Sequence, residues 1–270
     1  MSGEGDTMLL DIQDITVRYG KNPRPTIEHF SLQMEPGQII SVVGESGSGK
    51  TTVIRAVMGL LPGGGQVSEG DIIFEGRSLL DYDVKQWRQL RGSQISMIFQ
   101  DSGAMINPIR KIGGQYVDYI RTHADVSKKE AWDMACNMLE RMRLPSADNV
   151  MKSYPFQLSG GMRQRVGIAM AMTFRPKLLL ADEPTSALDV TTQAQIVRQM
   201  MELRDEYGTS IIMVTHNIGV AAYMGDQLIV MQRGKVVDAG DRDHILHHSD
   251  DPYTQKLIKS VPTLEGLRYV

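Results

Sequence analysis

The stretch Gly44–Thr51, "GESGSGKT", constrains this chain more than any other. It follows a short apolar, β-branched run, Gln38–Val43 ("QIISVV"). It opens a segment from Lys50 to about Leu60 with helical spacing, stopped by Pro62 and the glycines after it. Strand, glycine-rich turn and helix in that order build a phosphate cradle. The glycines let backbone N–H groups curl round a β-phosphate, Lys50 reaches the β/γ oxygens, and the Thr51 hydroxyl is placed to ligate Mg²⁺. Gly44, Glu45, Ser46, Gly47, Ser48, Gly49, Lys50, Thr51 and Thr52 are therefore the expected nucleotide-binding residues.

The rest of the pattern builds a domain round that cradle. Leu10–Tyr19 alternates like a half-buried strand with one slip near Asp14, and Thr26–Met34 reads as its partner. Strand signals recur at Asp71–Leu79 and Gln94–Phe99. Helical spacing then dominates Ile112–His123, Ser127–Met142 and Gly160–Phe174. Strands return at Lys177–Ala181, Ser210–Thr215 and Gln227–Gln232, with helices at Thr191–Tyr207 and Asn217–Tyr223 between them and a hairpin turn at Arg233-Gly234. The order predicts an α/β fold: a parallel sheet, an N-terminal antiparallel β subdomain and a helical insertion. We expect residues 1–103 and 164–245 to form the nucleotide-binding core, 104–163 the helical subdomain and 246–270 a short C-terminal extension.

Composition narrows the partners. With 270 residues, a net charge of −3 and no basic field, the chain leans against nucleic acid as a partner. A single cysteine, Cys136, fits a reducing compartment and cannot hold a metal cluster alone. No apolar run reaches the roughly 20 residues needed to span a bilayer, so work at a membrane requires other chains.

Four further places carry chemistry. "LLLADEP" (Leu178–Pro184) ends a strand in two carboxylates at the edge where ligands of open α/β sheets bind. Alone, such a pair reads as a solvated loop; beside a phosphate cradle, Asp182 suits the Mg²⁺ shell and Glu183 the attacking water, two roles that like charges so close must divide. His216 follows another strand, as a simple polar residue or as a donor to a γ-phosphate oxygen. Gln100, also after a strand, is placed to contact Mg²⁺ or the water. "QLSGGMRQR" (Gln157–Arg165) is a second anion-type helix start, with Ser159, Gly160 and Gly161 but no lysine in its loop. His244, His247 and His248 offer a weak metal spacing, but spacing this loose recurs often and a solvated helix end is the favoured reading. Trp87 and Trp132 are expected as buried anchors, and the Met134/Met138/Met142 and Met170/Met172 faces as core packing.

Tyr19, the Gly44–Thr51 loop, Gln100, "LSGGM", "LLLADEP", "SALD" (Ser186–Asp189) and His216 together resemble, in order and spacing, the ATP-binding subunits of ABC transporters. The resemblance covers nearly the whole chain. It implies that Tyr19 stacks on adenine and that Gln100 links the nucleotide to the helical subdomain. It gives Glu183 the role of general base and Asp182 that of Mg²⁺ ligand, and has His216 sense the γ-phosphate. Asp189 would lie at a contact between two ATPase subunits, and Ser159, Gly160 and Gly161 would grip ATP held by the other.

"MIFQD…NP", "GMRQRVGIAMAM" and "DDPYTQKLI" are similar to the peptide and nickel importers. That implies ATP and Mg²⁺ as cofactors and a second, related ATPase subunit, with a homodimer as the alternative. It also implies two transmembrane permeases, an extracytoplasmic solute-binding protein, and a place on the cytoplasmic face of the inner membrane. Met162, where most of the family has Gln, resembles one member of a pair of different chains. "QDSGAMINP" departs from the usual pattern after Gln100. Many peptide-importing relatives continue into a cysteine-rich tail holding an iron–sulfur cluster, expected to be absent here, and the shorter ending looks more like metal-chelate importers. An exporter ATPase, or an ABC-type ATPase on DNA or ribosomes, is the alternative function.

Overall fold

The structure is a computed structural model that describes residues 8–20, 24–100, 105–186 and 188–260, with the strand backbone of 263–264 and 267–268. In chain order the elements are β1 (Leu10–Tyr19), β2 (Ile27–Met34), β3 (Ile39–Val43), α1 (Lys50–Val57), β4 (Gly65–Phe74), β5 (Arg77–Ser78), α2 (Val84–Leu90) and β6 (Ile95–Ile98). There follow α3 (Ile112–His123), α4 (Lys128–Arg141), α5 (Ala147–Lys152), a 3-10 turn (Pro155–Gln157), α6 (Gly160–Met172) and β7 (Leu178–Asp182). The chain continues with α7 (Val190–Tyr207), β8 (Ser210–Thr215), α8 (Ile218–Met224), β9 (Gln227–Gln232), β10 (Lys235–Asp241), a π turn (His244–His248), α9 (Pro252–Lys259), β11 (Thr263–Leu264) and β12 (Leu267–Arg268). Two compact units form, Met1–Trp87 with Ser210–Val270, and Arg88–Thr209.

In the first unit an antiparallel sheet runs β2-β1-β4-β5. The expected slip near Asp14 is a β-bulge. Pairing shifts between Ile12 and Ile15 on the β2 side and between Gln13 and Thr16 on the β4 side. Asp14 sits at φ 49 and its N–H donates to Ser31 Oγ at 3.0 Å. Gly70 accommodates the bulge, because a Cβ there would lie 2.3 Å from the Gln13 carbonyl. A second set of strands, β10-β9-β3-β8, holds β3 parallel to both β8 and β9, with β10 antiparallel at the edge. Every residue of β3 and of β8 is buried, as near-continuous apolar runs in a parallel sheet require.

In the second unit β6 and β7 pair in parallel beside the helical segment α3–α6. Helix α4 starts where its sequence says it must. Ser127 Oγ accepts from Glu130 N–H at 3.2 Å, and Glu130 Oε2 accepts from Ser127 N–H at 2.8 Å. Met138, Met142 and Met172 are buried, as expected of core faces, whereas Met134 and Met170 are half-buried.

The tryptophans differ from expectation: both are half-buried. Trp87 packs its ring 5.6 Å from Tyr82, and Trp132 lies so close to Gly113 that a Cβ there would meet Cζ3 at 2.6 Å. Each ring covers a backbone or a neighbour at the rim rather than filling a core.

Candidate functional site

The cradle is built by three braces of the first unit, and each explains a glycine. Gly44 follows the buried end of β3, and a Cβ there would sit 2.2 Å from the carbonyl oxygen of Met231 in β9. Gly49, the N-cap of α1, has φ 104, and its Cβ would meet Ile27 Cδ1 of β2 at 2.4 Å. The turn between β9 and β10 closes the third side, where Gly234 N–H donates to Ser48 O at 2.9 Å. The loop is thus flanked by β9, β2 and the β9–β10 turn, which leave no room for side chains at Gly44 and Gly49.

Lys50 is 4% exposed, and its ammonium donates to Gly44 O at 2.7 Å and Glu45 O at 2.9 Å. Ser48 N–H donates to Glu45 O at 3.1 Å, winding the loop round the lysine. Helix α1 has no side-chain cap and no acid in its first turn, which leaves its positive end available to an anion. Ser48 Oγ is buried and, among the described residues, finds no hydrogen-bond partner. Such an orphan is costly unless a ligand completes it. Thr51 and Thr52, half-buried, occupy the first turn.

Parallel register places His216 beside the cradle. Val43, the last residue of β3, pairs with Thr215 of β8, so Gly44 and His216 leave the same edge of adjacent strands. His216 is exposed. The next residue, Asn217, caps α8 by accepting from Gly219 N–H at 3.0 Å and Val220 N–H at 3.2 Å. Tyr19 is half-buried at the end of β1, its ring so close to Gly65 that a Cβ there would lie 2.4 Å from Cε1.

The acidic residues belong to the second unit and have their own geometry. Ile98 of β6 pairs with Ala181 of β7, so the segments holding Gln100 and Glu183 leave their strands in step. Gln100 Nε2 donates to Glu183 Oε2 over a long 3.4 Å. Asp182 is 2% exposed at the end of β7. Glu183 sits at φ 44, a conformation that costs a non-glycine residue about 1–2 kcal/mol. Such a cost persists where the surroundings fix it: Ser186 N–H donates to Glu183 O at 3.2 Å, and buried Gln164 of α6 donates to Pro184 O at 2.6 Å.

The second anion-type helix start has a different character. Ser159 and Gly160 are exposed, and Ser159 Oγ accepts from Met162 N–H at 3.3 Å, capping its own helix α6. A Cβ on Gly160 would meet nothing within 4 Å, whereas one on Gly161 would lie 2.8 Å from Thr192 Cγ2. Thr192 in turn gives its N–H at 3.0 Å and its hydroxyl at 2.7 Å to Asp189, the N-cap of α7. These bonds hold the Asp189 carboxyl below the usual carboxylate range.

Thr192 and Gln164 therefore tie the "LSGGM" segment to "SALD" and "ADEP", and sequence reasoning missed both. The Asp189–Thr192 spacing of an N-cap was the available signal. The histidine cluster resolves into separate pairs: His244 Nε2 lies 3.4 Å from Asp238 Oδ1 and His248 Nε2 lies 3.3 Å from Asp243 Oδ2. Among the described residues, no group of three or more His, Cys, Asp or Glu is arranged to hold a metal ion. No helix among them is long and apolar enough to cross a membrane.

The chain is similar to known proteins. The chain matches the family described as ABC transporter over residues 27–186. It is 43% identical over 261 residues to the oligopeptide transport ATP-binding protein OppD of Haemophilus influenzae, covering 96% of this chain and 80% of that protein. It is 41% identical over 256 residues to the dipeptide transport ATP-binding protein DppD of the same organism, covering 94% and 78%. Among solved structures it is similar to the ATP-binding cassette MJ0796 in a dimeric post-hydrolysis state bound to ADP and Pi. The TM-score is 0.76 at 27% identity, over 86% of this chain and 98% of that one.

Proposed function

Because this chain belongs to the ABC transporter family, we propose that it is the ATP-hydrolysing subunit of a peptide importer, coupling ATP turnover at a subunit contact to uptake through separate membrane subunits. Support for ATP comes from the cradle itself: a buried lysine, an orphaned Ser48 hydroxyl and an uncapped helix start converge where phosphate oxygens would complete them. Support for peptide as the solute comes from the names of the relatives at 43% and 41% identity. Nickel or a metal chelate is the neighbouring solute class.

In this scheme residues 1–103 and 164–245 form the ATP-binding core, 104–163 the signature subdomain and 246–270 the extension. Tyr19 stacks on the adenine. The N–H groups of the Gly44–Thr52 segment and the Lys50 ammonium hold the β- and γ-phosphates. Glu183 accepts a proton from water, whose oxygen bonds to the γ-phosphorus as the bond to the β–γ bridging oxygen breaks. That oxygen leaves with the electron pair, giving ADP and inorganic phosphate. His216 donates to a γ-oxygen and Gln100 orients the water.

The donors proposed for Mg²⁺, the Thr51 hydroxyl, the Asp182 carboxylate and the Gln100 amide oxygen, are the hard oxygens that ion takes. Bound there, Mg²⁺ supplies charge neutralisation at the β/γ oxygens. Ser159, Gly160 and Gly161 grip the nucleotide of a second cassette, with Asp189 at the same contact. The partners are a second, related ATPase chain, two permeases and an extracytoplasmic binding protein, and the chain works at the cytoplasmic face of the membrane as their peripheral subunit.

Glu183→Gln tests the chemistry. It removes only the proton acceptor, so turnover falls by about a hundredfold or more while ATP affinity stays within about twofold. Rapid hydrolysis by that variant, measured as phosphate release, rules Glu183 out as the base.

A further inference from the structure

The C-terminal helix reaches the phosphate loop. Asp251 caps α9 by accepting from Thr254 N–H at 2.7 Å, with Pro252 in the first turn. Tyr253, Leu257 and Ile258 then pack into one core cluster with Val43, the residue that precedes the loop, and with Ile218, Ala221 and Val230. That packing fixes where the Tyr253 phenol points. Its oxygen accepts from the backbone N–H of Glu45 at 2.8 Å. One turn later, Lys256 Nζ lies 3.6 Å from Glu45 Oε1.

Glu45 is held from the other end as well. Its carbonyl oxygen accepts from Lys50 Nζ at 2.9 Å and from Ser48 N–H at 3.1 Å. A continuous polar chain thus runs from Tyr253 through the Gly44–Glu45 peptide, whose carbonyl also accepts from Lys50 Nζ at 2.7 Å, to the lysine at the centre of the cradle. When the Lys50 ammonium turns to phosphate oxygens it releases some of its hold on Glu45, and the phenol's bond remains to keep the start of the loop in shape. Burial pushes the Tyr253 phenol above its ordinary pKa, so it stays a neutral hydroxyl through the working pH range.

We propose that Tyr253 is a positioning residue of the nucleotide site: by accepting the Glu45 N–H it pre-shapes the phosphate loop, making the C-terminal helix part of the ATP-binding apparatus. The proposal rests on Gly44–Thr51 being the ATP cradle. Tyr253→Phe keeps the ring in its core cluster and removes only the hydroxyl that accepts the Glu45 N–H. Lys256→Ala serves as the comparison, because an ion pair this exposed contributes little.

The test titrates the full-length chain with MgATP by calorimetry and follows steady-state hydrolysis and thermal melting alongside. For Tyr253→Phe the Kd and KM for ATP rise about fivefold, kcat stays within about twofold and the melting midpoint within about 2 °C. Lys256→Ala changes each by less than about twofold. Amide exchange at Glu45 in the nucleotide-free chain speeds up in Tyr253→Phe, a readout that does not depend on how well the variant turns over. A Tyr253→Phe chain that melts earlier yet binds ATP with unchanged Kd overturns the proposal, as does unchanged exchange at Glu45. Lys50→Ala separates the two levels: if it leaves ATP affinity intact, the cradle assignment fails; if it abolishes binding while Tyr253→Phe does nothing, only the positioning role fails.

Discussion

The loop at Gly44–Thr51 and the loop at Leu158–Met162 both bring serine and glycine to a helix start, yet they are opposite in state. In the first, Gly44, Ser48 and Lys50 are buried, α1 has no side-chain cap, and the loop is clamped by Met231, Ile27 and Gly234. In the second, Ser159 and Gly160 are exposed, and the Ser159 hydroxyl spends its acceptor on its own helix. A buried, uncapped, lysine-bearing loop is a complete receptor for phosphate. An exposed, self-capped loop without a lysine is half of one, able to add donors to a phosphate whose charge is already met elsewhere. Under the proposed function, similar local chemistry serves as a primary site in one place and as an interface element in the other, and the difference in burial is what separates them.

Changing the lysine breaks this comparison most severely. Lys50→Ala removes a buried cation and leaves the Gly44 and Glu45 carbonyls without it, so ATP affinity falls by about a hundredfold or more, read by calorimetry. An intermediate effect is expected at Gly161. The new Cβ of Gly161→Ala meets Thr192 Cγ2 at 2.8 Å, so turnover falls by about tenfold while ATP binding to the chain's own cradle is untouched. The added Thr192→Ser change removes the methyl and keeps the hydroxyl that caps α7, so it restores turnover; failure of the double variant to recover would show that Thr192 is not what limits the loop.

The smallest effect lies at Asp189. Its pKa is held down by the Thr192 bonds, so its contribution is present above the ordinary carboxylate pKa and is lost as pH falls through the lowered one. Asp189→Asn keeps an N-cap without the charge. In thermal melts it matches the parent at neutral pH within about 2 °C, and it lacks the parent's extra loss of stability in acid.

Most of the cradle was legible because its signals are local. A buried strand, a glycine turn and a helix lie within a short span, and the apolar runs of β3, β7 and β8 announce themselves as fully buried strands. The Asp14 slip was legible for the same reason. The first half of β4 was not: "GQVSEG" is polar and glycine-bearing, and it is a strand because β1 supplies its hydrogen-bond partners from Gly65 to Glu69. Helix α5, six residues long, is too short for periodicity to declare it.

The contacts that brace the site were hidden more deeply. Tyr253 and Glu45 are 208 positions apart, and Gln164 reaches Pro184 across 20. No local pattern encodes such pairs, because tertiary packing creates them. The same holds for the tryptophans, whose size suggested burial but whose neighbours, Tyr82 and Gly113, put them at the rim.

In the proposed scheme the Ser159 loop acts on ATP held by another cassette. ATP turnover per chain, measured for the purified protein across a wide dilution series, tests it most directly, with Ser159→Arg run alongside. Turnover per chain should fall as the protein is diluted. Ser159→Arg should abolish turnover at every concentration while leaving the Kd for ATP within about twofold, since its own cradle is intact. Turnover that stays constant on dilution, or a Ser159→Arg chain that loses ATP binding as a monomer, would contradict the account.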